Sequence, residues 1–139
     1  MKTKIIYFIF CIIFSTKLLS DVNYFETGKK LFDKKNFSEA KLKFEQDIVF
    51  NPKNENSYLY LAKIFKIEEK DNLEEQNLNT VILLNPKNEE AIYELALLKI
   101  KKSNFSETEK LISTFGRVCK VLCKKKIDLE TELKNSLKN

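Results

Sequence analysis

The segment Asn-Pro-Lys-Asn-Glu occurs twice, at Asn51–Glu55 and at Asn85–Glu89, 34 positions apart. No other feature constrains the fold as much, because a fixed interval of this size marks stacked supersecondary units. Shifting the chain by the same interval brings further positions into line. Gly28, Ala62 and Ala96 coincide, all small, as do Tyr24, Tyr58 and Ile92, and Phe44, Leu78 and Ile112. Two intervals apart, Lys35–Ala40 (KNFSEA) meets Ser103–Thr108 (SNFSET).

Each unit reads as a pair of helices. Tyr58, Leu59, Leu61, Ala62 and Phe65 follow helical spacing, and so do Leu78, Val81 and Ile82, with Leu84 closing the set. Composition agrees. The 139 residues suffice for one domain, helix formers dominate, and two Gly with two Pro are too few for a turn-rich β fold. Helix starts are marked by Asn36 with Glu39 and by Asn104 with Glu107, where the Asn accepts from a free N–H and the Glu reaches back. The middle unit carries the same signal one residue later, as Asp71 with Glu74. The repeated pentapeptide then reads as punctuation between units. Asn51 and Asn85 are expected in the left-handed conformation that ends a helix, and Pro52 and Pro86 prevent its continuation. Asn54 and Asn88 cap the next helix, with Glu55 and Glu89 at its positive end.

The period and these positions resemble the tetratricopeptide (TPR) family over about residues 21–120. The resemblance implies an all-α, right-handed α-solenoid of about three helix-turn-helix repeats, at about 21–54, 55–88 and 89–120. It rests on the small residues Gly28, Ala62 and Ala96, Ala40 facing them from a second helix, Phe37 and Phe105 at the turn, and Pro52 and Pro86 at the close. Small side chains let paired helices approach, and the aromatic fills the gap beside them. The sequence departs from the family's pattern in places. Glu74 and Thr108 stand where Ala40 does, and Lys99 matches Leu31 and Phe65. Asp47, Val81 and Phe115 occupy a place usually given to alanine, and Lys120 replaces the third closing proline.

Beyond the repeats, Gly116 is expected to terminate the last repeat helix. In residues 121–139, Ile127, Leu129, Leu133 and Leu137 outline the apolar face of a capping helix, which a repeat stack needs to cover its open end. At the other end, a basic start is followed by the ten-residue apolar run IIYFIFCIIF (residues 5–14) and a small residue at Ser20. Residues 1–20 therefore read as a secretory signal peptide, or else as a retained N-terminal anchor giving membrane association through residues 5–14. The expected location is periplasmic or otherwise exported, with attachment to the inner membrane as the alternative.

Removing residues 1–20 leaves 22 basic residues against 20 acidic, a net charge of +2. That balance, with Lys124–Lys126 read as a solvated helix face, argues against a nucleic-acid partner. It also leaves two cysteines, Cys119 and Cys123. An even count in an exported chain favours a structural disulfide, which needs non-helical backbone between them. Free thiols remain open, as do catalytic or metal roles, although metal binding lacks further ligands in a chain without histidine.

Little else suggests catalysis. Without histidine there is no ordinary Ser-His or Cys-His pair, and two isolated glycines make no phosphate loop. Glu68, Glu69, Glu74 and Glu75 lie among lysines and read as solvated ion pairs. The expectation is a non-enzyme with no cofactor and no metal, binding a protein partner. The TPR resemblance implies that first helices line a groove presenting Phe25, Lys29 and Phe32, then Asn56, Tyr60, Lys63 and Lys66, then Glu90, Tyr93, Glu94 and Leu97. Such a surface suits a peptide or a partner's helix. Lys29 and Lys63 loosely match TPR proteins that clamp a chaperone's C-terminal carboxylate, whereas Glu90 and Glu94 oppose it. The expected role is an adaptor or assembly factor of the cell envelope. The alternatives are a membrane-anchored scaffold or an inhibitory or accessory subunit of an enzyme.

Overall fold

The computed structural model describes residues 23–138. The signal or anchor expectation for residues 1–20, Cys11 included, lies outside the described residues. Seven helices follow one another, with no strand among the described residues. They are α1 (Tyr24–Asp33), α2 (Phe37–Phe50), α3 (Glu55–Ile67), α4 (Asp71–Leu84), α5 (Glu89–Lys101), α6 (Phe105–Val118) and α7 (Lys125–Ser136). Each helix packs on the next through α6, and α7 packs on both α5 and α6. The architecture is an all-α solenoid of three helix pairs and a closing helix.

Each apolar cluster straddles a repeat boundary, which is why the stack holds together. The first joins Ala40 and Phe44 of α2 to Leu61, Ile64 and Phe65 of α3, with Phe25, Leu31 and Phe32 of α1 against it. The second joins α3 and α4 to Ala91, Leu95 and Leu98 of α5. The third joins α5 and α6 to Leu129 and Leu133 of α7, which stands where a fourth repeat would begin. A repeat cannot bury both of its faces by itself, so each new helix covers its predecessor. In α7 only Leu129 and Leu133 are buried. Ile127 and Leu137 are exposed, because a single covering helix needs only a narrow stripe.

Helix punctuation follows the expected chemistry in part. The Asn36 and Asn104 side chains accept from the N–H groups of Glu39 and Glu107, and Asn54 and Asn88 from those of Asn56 and Ala91. Other expectations are corrected. Asn51 and Asn85 are not left-handed; their φ angles are −128° and −138°. The left-handed residues are Lys35, Glu69 and Ser103, at φ 61°, 56° and 54°, themselves spaced by 34 and sitting between the two helices of each repeat. In each, two N–H groups fold back onto the helix end. Lys35 and Asn36 donate to the carbonyls of Phe32 and Leu31 at 2.8 and 2.9 Å. Asp71 is the first residue of α4 rather than its cap. The cap is Lys70, which offers no side-chain oxygen, so that helix start goes without. Gly116 lies within α6, which ends only at Val118.

The three left-handed sites carry side chains with a Cβ, and all three are exposed. Lys35→Gly, Glu69→Gly and Ser103→Gly should each raise stability by about 0.5–1 kcal/mol, relief of the left-handed strain outweighing glycine's unfolded-state entropy. Urea unfolding of the triple variant checks this, and an unchanged midpoint would contradict it.

Candidate functional site

The punctuation segments do more than end helices. The Asp47 carboxylate, 2% exposed, accepts from the side chains of Asn51 at 3.0 Å, Asn54 at 2.7 Å and Ser57 at 2.5 Å. In the second turn Glu55 takes over, accepting from Asn85 at 2.7 Å and Asn88 at 3.1 Å. Glu89 then repeats the role one period later. Its carboxylate accepts from the backbone N–H groups of Lys120, Val121 and Leu122, at 2.7 to 3.3 Å. Those bonds, Leu122's foremost, hold its pKa below the usual range.

Cys119–Cys123 falls 34 residues after Asn85–Glu89, so the cysteine segment is the third punctuation mark. The two sulfurs lie at bonding distance, with Cα atoms 5.2 Å apart. The intervening backbone is non-helical, as such a bridge requires. A covalent closure stands here in place of Asn-Pro.

The first helices α1, α3 and α5 carry the residues expected to line a groove, and the structure divides them. Tyr60 is half-buried in an aromatic nest, its ring 5.7 Å from Phe25, 5.1 Å from Phe32 and 5.0 Å from Phe44. Lys63 lies 4.8 Å over the Tyr60 ring and pairs with Glu90 at 2.8 Å. Lys66 pairs with Glu94 at 2.5 Å. Tyr93 and Leu97 belong instead to the third cluster, Tyr93 lying 6.0 Å from the Phe115 ring and beneath the Lys125 ammonium at 4.4 Å. Lys29 and Asn56 are exposed and outside the cleft described next.

A cleft of about 260 Å³ opens among α1, α3, α4 and α5. Phe32, Leu59, Ala62, Ile67 and Leu78 make its walls, and Lys63, Lys66 and Glu94 stand around it. Glu74 also lines it. Glu74 occupies the position of Ala40 in the first repeat and is 4% exposed, not the solvated surface residue its sequence surroundings suggest. Its side chain makes no hydrogen bond or ion pair among the described residues. Burial pushes its pKa up to about 6; Lys66 opposes this, Glu94 and Asp71 add to it, and Lys101 opposes it.

Glu75 is also more than a surface charge. It accepts from Lys99 at 2.7 Å and from Lys102 at 2.6 Å, and both bonds, that of Lys102 foremost, lower its pKa. Lys99, at a core position and 6% exposed, pairs further with Glu107 at 2.8 Å. Burial by itself would lower the pKa of Lys99, but Glu107 and Glu75 together raise it. The amphipathic lysine stem fills an apolar place while its ammonium reaches two carboxylates.

A carboxylate that binds its proton more tightly folded than unfolded destabilises the fold once ionised. For Glu74 the stability is full below pH 4.5 and is lost as pH rises through about 6. Glu74→Gln should therefore stabilise the protein at pH 7.5, by about 1 kcal/mol once solvent screening at the open cleft is allowed for, and remove that slope. Thermal unfolding between pH 4.5 and 7.5 checks it. An identical pH profile in the variant would refute it.

No protein-family profile matches the sequence, and no curated protein matches it. Solved structures do match, TPR domains among them. The first TPR domain of Spaghetti (RPAP3), bound to an HSP90 peptide, superposes with a TM-score of 0.73 at 16% identity, covering 84% of this chain and 94% of that one. The Arabidopsis OM64 TPR domain gives 0.72 at 18% identity, covering 81% and 92%. The Yersinia enterocolitica type III secretion chaperone SycD, in complex with a peptide of the translocator YopD, gives 0.69 at 14%, covering 88% and 95%. The chain has the TPR fold.

Proposed function

We propose that this protein is a non-enzymatic interaction module that receives a peptide or helix of a protein partner on the face formed by α1, α3 and α5. The observation that carries the reading is the apolar cleft on that face, beside the half-buried Tyr60 nest. A cleft with apolar walls and a few charged groups at its rim suits anchoring of a partner's side chain. Peptide complexes of structures with the same fold support it.

The class of peptide differs from that of the first of those complexes. The HSP90 peptide there is SRMEEVD, with an acidic end. In this chain Lys63 and Lys66 are already matched by Glu90 and Glu94 from the next repeat. Acidic tails find no free cation at the cleft among the described residues. The apolar run at residues 5–14 and the bonded cysteine pair further support an exported adaptor or assembly factor of the cell envelope.

Photo-crosslinking in cells from position 66, replacing exposed Lys66 beside the cleft, tests this, with exposed Lys53 in the first inter-repeat turn as control. A discrete protein adduct from position 66 alone is expected. Equal labelling from both positions, or none from 66, would overturn the reading.

A further inference from the structure

We propose that the cleft among α1, α3, α4 and α5 is a subsite for one basic side chain of the bound partner, with Glu74 as its counter-ion. This deepens the interaction reading above and rests on it. The cleft has the shape and chemistry of such a subsite. Leu59, Ala62, Ile67 and Leu78 line a path suited to an aliphatic stem, and the carboxylate of Glu74, a residue more than nine-tenths buried, opens onto the cleft among them. Basic side chains are built this way, apolar along the stem and charged at the tip.

The balance of charge around Glu74 selects a cation. On α3, Lys63 and Lys66 face the cleft, each cancelled by a carboxylate of α5, Glu90 and Glu94. At the start of α4, Asp71 is cancelled by Lys101 of α5, at 2.6 Å. One negative charge remains, that of Glu74, and it has no partner among the described residues. A carboxylate largely withdrawn from water into an apolar cleft and without a partner is costly, and it is relieved by either a proton or a cation. An incoming ammonium would supply the second, so the energy stored in the free protein becomes affinity for a basic residue. A neutral side chain would gain only the apolar walls.

The test uses the full-length chain and n-butylammonium as probe, with n-butanol as its neutral counterpart. Backbone amide shifts of Leu59, Ala62 and Leu78 and the carboxyl carbon shift of Glu74 follow binding. At pH 8, n-butylammonium should bind saturably in the millimolar range expected for so small a ligand, and n-butanol about tenfold more weakly or worse. Glu74→Gln should remove that preference. Should the variant fold poorly, the wild-type protein provides the second measurement: affinity for the cation should fall from pH 8 to pH 5 as Glu74 takes up a proton. Equal binding of the two probes, binding unaffected by both pH and Glu74→Gln, or movement of Lys66 onto Glu74 with no probe bound would overturn the proposal. Probe binding without a crosslinked adduct would leave the subsite standing and remove the partner reading. An adduct without probe binding would do the reverse.

Discussion

Asp47→Ala should destabilise the protein by about 3 kcal/mol, since hydrogen bonds to a buried charged acceptor are among the most expensive to lose. The carboxylate gathers Asn51, Asn54 and Ser57 into one knot, and Ser57 is fully buried. Truncation leaves the buried Ser57 O–H donor without its acceptor, the hydroxyl keeping only the long bond from Asn54 at 3.3 Å, and frees the turn that sets the angle between α2 and α3. The loss is specific to this repeat. At the equivalent places stand Val81 and Phe115, because the second and third turns are held instead by Glu55 and Glu89 from the start of the first helix of each repeat. Urea unfolding with Val81→Ala as the comparison separates the two explanations. Val81→Ala should lose only the packing of a small apolar side chain, about 1–2 kcal/mol. An Asp47→Ala loss no larger than that would mean the knot contributes nothing beyond packing.

The second large effect is expected at Gly28, where a helix-interior glycine meets an aromatic ring. A Cβ there would lie 2.8 and 2.9 Å from two ring atoms of Phe44. That ring is fully buried, stacked on Tyr60 and set against Phe25, so it has little room to retreat. Replacing glycine inside a helix ordinarily gains up to about 1 kcal/mol. Overpacking outweighs it, and Gly28→Leu should cost about 3 kcal/mol. Because α1 is the first described helix of the stack, its undocking from α2 should show as loss of hydrogen-exchange protection in α1 before the rest. Gly116→Ala is the control. The atoms nearest its added Cβ belong to the side chain of Lys126, from 3.1 Å, and that flexible chain swings away. The control should be neutral or stabilising. Equal destabilisation by both would show that close approach to Phe44 is not what requires glycine at position 28.

Much of the fold was legible because its causes are local. The Asn caps at 36, 54, 88 and 104 each act within one turn, and the period of 34 with the small residues at 28, 62 and 96 shows directly as a pattern in the chain. The left-handed residues were not legible, since Lys35, Glu69 and Ser103 have no composition in common and are forced there by the backbone bonds that close the preceding helix. The third punctuation mark carried a usable signal. Cys119 and Cys123 fall in register with Asn85 and Glu89, but a shared position with different chemistry is easily passed over. The expected groove residues separated into two groups, because α7 covers Tyr93 and Leu97 while Phe32, Lys63 and Lys66 stay at the cleft.

By itself, then, the sequence determined the repeating unit, its helix starts and the places where helices must come close, because each is written as a local signal or as a residue repeated at a fixed interval. Only the tertiary structure decided which charges cancel. Lys66 meets Glu94 across 28 residues and Lys101 meets Asp71 across 30, distances in the chain that only stacking of the helix pairs can close. Glu74 and Glu75 are neighbours on one helix with the same chemistry, yet one is buried without a partner and the other lies between two lysines. Successive helical residues point about 100° apart, so the packing angle of the next repeat gives one carboxylate an apolar cleft and the other its ion pairs.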